Sequence, residues 1–473
     1  MMNFEVRIDG KTVDLDPNTG YDLEILNPMS GWDSFTGSKA TNIQLPFHSQ
    51  RNHEIMHWLA DTQVQTSREF FLCEKYLNTS LIEKGWVILR DATESYSLDF
   101  TVNLKEFFGT LQSRSLSEID LGSIPVPASY SATLENSWNN GGFVFPTVLN
   151  PDYFGGQNPG NFTGKVNEYG SGDYTTSVKV PYFFAKWVLK KLANLAGITL
   201  HGAAWESELL NRVLIGNTRA IEGATIQPRL HLPNYTVAGF LVNLLKVFRI
   251  VPFFDTHRRK LRLEFGAERL RGITALDWTE KMQRKQGGTP SGVSGLEISY
   301  TLDSNDAMTK DEYFFPYTTP GITANDVAGS LLKIQIGFAP YLMQNGLPYS
   351  KQPGIVNSQS DKTFGPRIAF WHGLVNGVPL ASNTWNGYDL RLTGSNGLAQ
   401  KWWSVEENFQ INALKIVRDV ALSPADLAKL SSIFRGESAE RPIVYAHGRN
   451  WFIEKVVVPS DDPKLSQVTL CRL

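Results

Sequence analysis

Two cysteines, Cys73 and Cys471, stand at opposite ends of a chain of 473 residues. They are too few and too distant to make a disulfide framework or a metal cluster, so both are expected to be small buried side chains. Charge of one sign is also missing: the formal net charge is -2, and no basic stripe is visible that would bind the groove of a nucleic acid. The most apolar window, Val237 to Phe254, is interrupted by Asn243, Lys246 and Arg249, so no membrane span is expected. Met1 to Gly10 has no apolar run and carries Glu5, Arg7 and Asp9. No secretory leader is therefore expected, and folding in the cytoplasm is. Nucleotide and hydrolase fingerprints are absent as well. Gly160 to Lys165 (GNFTGK) is too short for a P-loop, and Gly292-Val293-Ser294-Gly295 fails the spacing of a nucleophile elbow. No calcium loop or dinucleotide fingerprint occurs. Asp461-Asp462 reads as solvated turn charge.

What is present is a folded composition, 42% hydrophobic and 19% charged, with 39 Gly, 24 Pro and 12 Trp. That mixture favours many strands joined by turns. The length calls for about two to four domains.

The longest patterned stretch is Leu232 to Phe265. Val237, Phe240, Leu241, Leu244, Leu245 and Phe248 recur at helical spacing, with Thr236 as N-cap. A short apolar run to Phe254, a turn at 255–259 and an alternating strand through Leu261, Leu263 and Phe265 follow. Upstream, Phe4, Val6 and Ile8 alternate into an Asp9-Gly10 hairpin turn. Tyr21 to Leu26 reads as a strand, and Pro46 closes another containing Ile43 and Leu45. A helix is expected over Arg51 to Ala60, with Ile55 and Leu59 on one face. Trp86 to Leu89 pairs with Tyr96 to Val102, after which Leu104, Phe107, Phe108 and Leu111 take helical spacing.

Residues 122–180 are rich in Gly, Asn and aromatics, including Phe143, Phe145, Tyr153, Phe154, Phe162, Tyr169 and Tyr174. They read as a long surface excursion, or as a contact surface for a partner subunit. Pro181 is expected to open a helix with Phe184, Val188, Leu192 and Leu195 buried, Lys186, Lys190, Lys191 and Asn194 outward, and Gly197 at its end. Gln283 to Gly295 reads as a flexible linker. Leu296, Ile298, Tyr300 and Leu302 alternate beyond it, and residues 312–422 read as short strands. Ser423 to Asp426 is a capping box for a helix buried through Leu427, Leu430, Ile433 and Phe434. A β-meander closes the chain.

One catalytic motif needs weighing. His53-Glu54-Ile55-Met56-His57 spells H-E-x-x-H on the expected helix. There the i, i+4 spacing would let two imidazoles share a zinc, with Glu54 as general base. Against it stand polar flanks, a short helix behind Pro46, and no evident third ligand beyond Glu69 or Glu74. The bland alternative is a surface helix with solvated or partner-contacting histidines. The tryptophans Trp371, Trp385, Trp402 and Trp403 suit a glycan-binding module or, more plainly, sheet cores.

Three stretches together resemble tail proteins of phages and prophages of Bacteroidetes-type hosts. They are SKATNIQLPF-x-S-x-x-N-x-x-I (Ser38 to Ile55), NYTV-x-x-FL-x-x-LLKVFRIVPFFD (Asn234 to Asp255) and RPIVY-x-HGRNWFIEKV (Arg441 to Val456). The resemblance implies a tail-tip (baseplate) hub: a homotrimer whose chains each contribute two small β-barrels to a pseudo-sixfold ring. Its implied partners are the tail tube, distal tail, spike or fibre and tape-measure proteins, with DNA passing non-specifically through the lumen. Its implied location is the host cytoplasm during assembly and then the virion tail.

The expected fold is α+β and mainly β, with barrel or sandwich domains braced by a few amphipathic helices. The expected division is 1–121, a β-rich tube-like domain; 122–180, an insertion; 181–282, a helix-strand domain; 283–422, a second β-rich domain; and 423–473, a helix plus meander. The expectation is a structural protein without enzymatic activity, catalytic residues, cofactor or metal. The alternatives are a sixfold distal tail protein, a zinc metallopeptidase on His53, Glu54 and His57, and a glycan-binding module.

Overall fold

The computed structural model describes residues 4–16, 22–31, 39–64, 70–102, 108–256, 258–271, 276–284, 287–302, 312–321, 331–356, 363–438, 440–459 and 465–473. Tyr21, Ser38, Glu69, Leu104, Phe107, His257, Asp461 and Asp462, named above, lie outside them. The chain is α+β and mainly β. Its backbone divides into two compact units that interleave along the sequence. One is Met1–Gly109, Val251–Gly292 and Asn408–Leu473; the other is Thr110–Ile250 and Val293–Glu407.

The first unit is built on one long, almost wholly antiparallel sheet. From Lys11–Thr12 it passes through Phe4–Ile8, Phe70–Leu77, Ser80–Asp91, Ser95–Thr101, Lys39–Pro46 and Asp22–Leu26. It continues through Arg449–Pro459, Ser466–Arg472 and Leu414–Val420 to Thr289–Pro290. Local chemistry explains several joints. Asp9 and Gly10 take φ of 50° and 78°, the left-handed pair that a two-residue hairpin turn needs. Tyr96, Leu98, Phe100 and Val102 are all buried, as their alternation requires. Gly85 lies so close to the next strand that a Cβ there would sit 2.7 Å from the Thr101 carbonyl oxygen. The helix Pro424–Phe434 starts with the expected reciprocal cap between Ser423 and Asp426. Its Leu427, Leu430, Ile433 and Phe434 join a core with Leu23, Ile25, Trp278, Val456 and Leu470. Within the expected linker, Thr289–Pro290 pairs with Leu414–Val420, so that part of it is a strand.

The second unit carries a six-stranded sheet. Ala339–Pro340, Arg367–Val375, Val213–Gly216, Tyr182–Phe184 and Phe143–Val144 run in that order, and Val378–Ser382 also pairs with Arg367–Val375. Smaller sheets accompany it, one of them Tyr317–Thr318, Gly295–Tyr300 and Leu331–Ile336. The helix Val237–Val247 is capped by Thr236, whose hydroxyl accepts from the Gly239 amide at 3.1 Å. Its stripe is buried as the periodicity demands, with Phe240 edge-on to Phe338.

Several expectations are corrected here. Residues 122–180 are a surface excursion only in part: residues 155–161 are exposed, but Phe143, Phe145 and Tyr153 are buried, and Phe143–Val144 is a strand of the main sheet. The segment is stitched by buried Asn167, which donates to the Pro146 and Val180 carbonyls and accepts from the Val180 amide. The helix after Pro181 begins only at Ala185, because Tyr182–Phe184 is claimed by strand pairing on both sides. Leu195 is 54% exposed, while Lys186 is buried, with its ammonium 4.1 Å and 4.6 Å from the Trp138 and Trp205 ring centroids. Residues 312–422 also contain a helix, Ser404–Asn412, preceded by a π turn at Ala399–Trp403 that holds Trp402 and Trp403.

Two outcomes follow from this packing. Phe240→Ala should cost about 3–5 kcal/mol in urea unfolding, as for other fully buried aromatics. His231 is buried and held far below its ordinary 6.5, at about 3, by desolvation first and then by Arg219. Below 6.5 the unfolded chain takes a proton that the folded one refuses until about pH 3, so stability falls as pH drops through that window. Between about pH 5 and 6.5, His231→Gln should flatten the stability–pH slope, by up to about 1.4 kcal/mol per pH unit.

Candidate functional site

The H-E-x-x-H stretch does not form the expected helix face. Ser49 caps a helix that ends at Ile55, and His57 and Trp58 follow with φ of 51° and 56°. Leu59 and Ala60 are outside any helix, which corrects the expected span to residue 60. His53 is committed on both nitrogens. Its Nε2 lies 2.8 Å from the Phe47 carbonyl oxygen and its Nδ1 lies 2.9 Å from the Tyr96 hydroxyl. A carbonyl can only accept, so Nε2 carries a proton and donates to Phe47, while Nδ1 shares a hydrogen bond with the Tyr96 hydroxyl. The ring also stacks on Trp58 at 4.9 Å and 4°. Glu54 accepts from Gln50, and His57 lies against Phe71. Of the suggested third ligands, Glu74 is engaged by Lys84 at 2.7 Å and Tyr76 at 3.1 Å. Among the described residues, no group of three His, Cys, Asp or Glu could hold a metal ion. The motif is spelled by the sequence and not assembled by the fold.

The same stretch does carry a structural device. Asn52 is fully buried, and its amide closes three bonds: Oδ1 accepts from the Asp14 amide at 3.0 Å, and Nδ2 donates to the Asp14 and Pro46 carbonyls at 2.9 Å and 3.2 Å. Asp14 in turn accepts from the Ser49 hydroxyl at 2.6 Å. The spacing Ser49-x-x-Asn52-x-x-Ile55 is therefore cap, staple and core anchor in succession. The other two stretches that carry the resemblance are also structural. Asn234 to Asp255 is the capped helix and the strand Ile250–Asp255. Arg441 to Val456 forms the hairpin of Ile443–Ala446 with Arg449–Pro459, turned at His447 and Gly448 (φ 50° and 83°). His447 Nε2 donates to the Met282 carbonyl at 2.7 Å.

No family model matches this sequence, and no curated protein sequence matches it. Among solved structures, the chain is similar to the 43 kDa tail protein of prophage MuSo2 from Shewanella oneidensis, with a TM-score of 0.41 and 10% identity over 100% of this chain and 97% of that one. It is also similar to a tail protein from Neisseria meningitidis MC58, with a TM-score of 0.39 and 10% identity over 100% of this chain and 96% of that one. Prophage tail protein gp18 from Listeria monocytogenes EGD-e gives 0.36 and 10%, over 99% and 94% of the two chains. None reaches a TM-score of 0.5, and the functional reading rests on the residues of this chain.

Burial pushes the Cys73 thiol up to about 12, and burial with Glu454 does the same to Cys471, so neither forms a thiolate at neutral pH. Lys75 is buried over the Phe100 ring, 3.8 Å from Glu83, and desolvation lowers it to about 8. Arg249 and Glu406 form a buried pair at 3.1 Å. Trp371, Trp402 and Trp403 are buried, whereas Trp385 is half-buried. No helix among the described residues is long and apolar enough to cross a membrane.

The staple and the motif separate by mutation. Asn52→Ala should lower unfolding stability by about 1–3 kcal/mol, because it strands buried backbone groups. Glu54→Gln, on the exposed side, should stay within about 0.5 kcal/mol. Stoichiometric zinc by elemental analysis, lost in His57→Ala, would reverse this assignment.

Proposed function

We propose that this chain is a structural protein of a phage tail: a ring subunit of the tail tip that joins the tail tube to the spike and lines the DNA channel. The observation that carries the reading is what the three stretches behind the resemblance do. The first resolves into a strand, a helix cap and a buried amide staple, the second into a capped helix and a strand, and the third into a strand hairpin, and their described side chains are engaged in packing and hydrogen bonding. Residues with that role specify a scaffold.

Other features agree. The chain folds as two compact units, so three chains would supply six in a ring. Among the described residues, Leu331–Ile336 is the terminal strand of its sheet, and the long sheet of the first unit ends on Lys11–Thr12 and Thr289–Pro290. Terminal strands are the natural sites for pairing between subunits. A net charge of -2 suits a lumen that passes DNA without gripping it. In this reading the partners are the chain's own copies, the tube and distal tail proteins, the spike or fibre and the tape-measure protein. The protein assembles in the host cytoplasm and ends in the virion tail.

Native mass spectrometry and negative-stain microscopy test it. Three copies in a ring with an open centre are expected. Six copies would instead make it a distal tail protein, and a stable monomer at micromolar concentration would overturn the reading.

A further inference from the structure

The second unit carries an open depression of about 390 Å³ beside a two-residue hairpin, Thr384–Trp385 against Tyr388–Asp389. Its size falls in the range of small-molecule sites, about 300–1,000 Å³. The hairpin turns at Asn386 and Gly387, with φ of 46° and 77°, so the turn is tight and its flanking rings are fixed. Trp385 and Tyr388 are cross-strand partners with rings 6.4 Å apart and 18° from parallel. Tyr388 continues the stack onto buried Trp402 at 5.2 Å and 24°. Phe370 supports Trp385 from a neighbouring strand at 6.2 Å. The result is an aromatic platform anchored in the core, whose outer ring stays half-buried.

Planar polar groups surround that platform. Asp389 is buried and accepts from the Arg391 amide at 2.9 Å and from its Nε at 2.7 Å; Nη2 bonds the same carboxylate. This holds the guanidinium in one plane, and the Arg391 side chain remains 49% exposed. The Asp389 amide donates to the Asn396 carbonyl at 2.9 Å, which pins the loop bearing Asn396. The side chains of Asn386 and Asn396 are exposed at the rim.

We propose that this depression binds a neutral hexopyranose unit of an oligosaccharide. The apolar C–H face of the sugar lies on the outer ring, Trp385, which Tyr388 backs, and its vicinal hydroxyls meet the fixed planar donors and acceptors of Arg391, Asn386 and Asn396. Neutrality follows because Asp389 and Arg391 cancel one another. Hydrolysis is not part of the proposal: glycoside cleavage uses two carboxylates across the bond, and among the described lining residues Asp389 is the one carboxylate, spent on Arg391. The inference does not depend on the tail assignment, and a monomeric protein would bind the sugar equally.

The test uses the full chain, with maltotriose, cellotriose and chitotriose as probes and sialyllactose as the anionic control. Isothermal titration and saturation-transfer NMR to about 10 mM would detect even a millimolar site. Saturable binding of at least one neutral trisaccharide is expected. Trp385→Ala should weaken it about tenfold or more. Asn396→Ala, at an exposed rim position, should weaken it without changing the unfolding curve. Trp58→Ala, an exposed tryptophan of the first unit, should leave it unchanged. Binding by none of the neutral probes, binding by sialyllactose alone, or binding that survives both Trp385→Ala and Asn396→Ala would overturn the proposal.

Discussion

The pairing of Asp22–Leu26 with Arg449–Pro459 is the joint on which the first unit depends. It fuses the N-terminal strands and the C-terminal hairpin into one sheet, and it draws in Asn27. That side chain is buried and donates to the Ile453 carbonyl at 2.7 Å across 426 residues. Backbone groups in a buried strand must find partners, and here those partners lie at the far end of the chain. The core around Leu23, Ile25, Val456 and Leu470 therefore closes only when both ends are present. Closing so long a loop costs entropy before any contact repays it, which places this unit among slow-folding topologies.

Buried charge shows the same dependence in the second unit. Arg249 and Glu406 are each 3% exposed, lie 157 residues apart, and pair at 3.1 Å, with Arg249 at a φ of 46°. A buried pair of this kind is weak evidence for stability, but removing either partner leaves an uncompensated charge. It also explains why the helix Ser404–Asn412 escapes a periodicity search. Two of its inward positions are Glu406 and Glu407, the latter met by Tyr317 at 3.0 Å. Apolar spacing cannot reveal a helix that buries carboxylates.

The candidate catalytic motif illustrates the converse. H-E-x-x-H is a statement about spacing, and its chemistry requires four residues of unbroken helix after His53. The chain leaves the helix at Ile55. The Phe47 carbonyl and Tyr96 hydroxyl then occupy the His53 nitrogens from flanking elements. Asn52, which the motif does not include, is the polar side chain that holds the segment together. The only hint of it in the sequence is an amide one helical turn after a capping serine. The aromatic platform at Trp385 was equally partial. The sequence offers Trp385 only as one of several tryptophans suited to sheet cores or to stacking on a sugar, and shows neither its hairpin, nor the support of Phe370 and Trp402, nor the Asp389–Arg391 plane.

By itself the sequence determined the features whose causes lie within about four residues. These are the hairpin turns at Asp9-Gly10 and His447-Gly448, the caps at Thr236 and Ser423, the apolar stripes of Val237–Val247 and Pro424–Phe434, and the alternation of Tyr96 to Val102. Backbone conformation and side-chain period are local properties, so local residues declare them. Tertiary structure alone decided which of these elements share a sheet, how the two units interleave, and that Phe143, Phe145 and Tyr153 of 122–180 are core. It also set Lys186 between two indoles and ended the helix before His57. Burial is a property of what arrives from elsewhere in the chain, and the period of a segment does not say what will cover it.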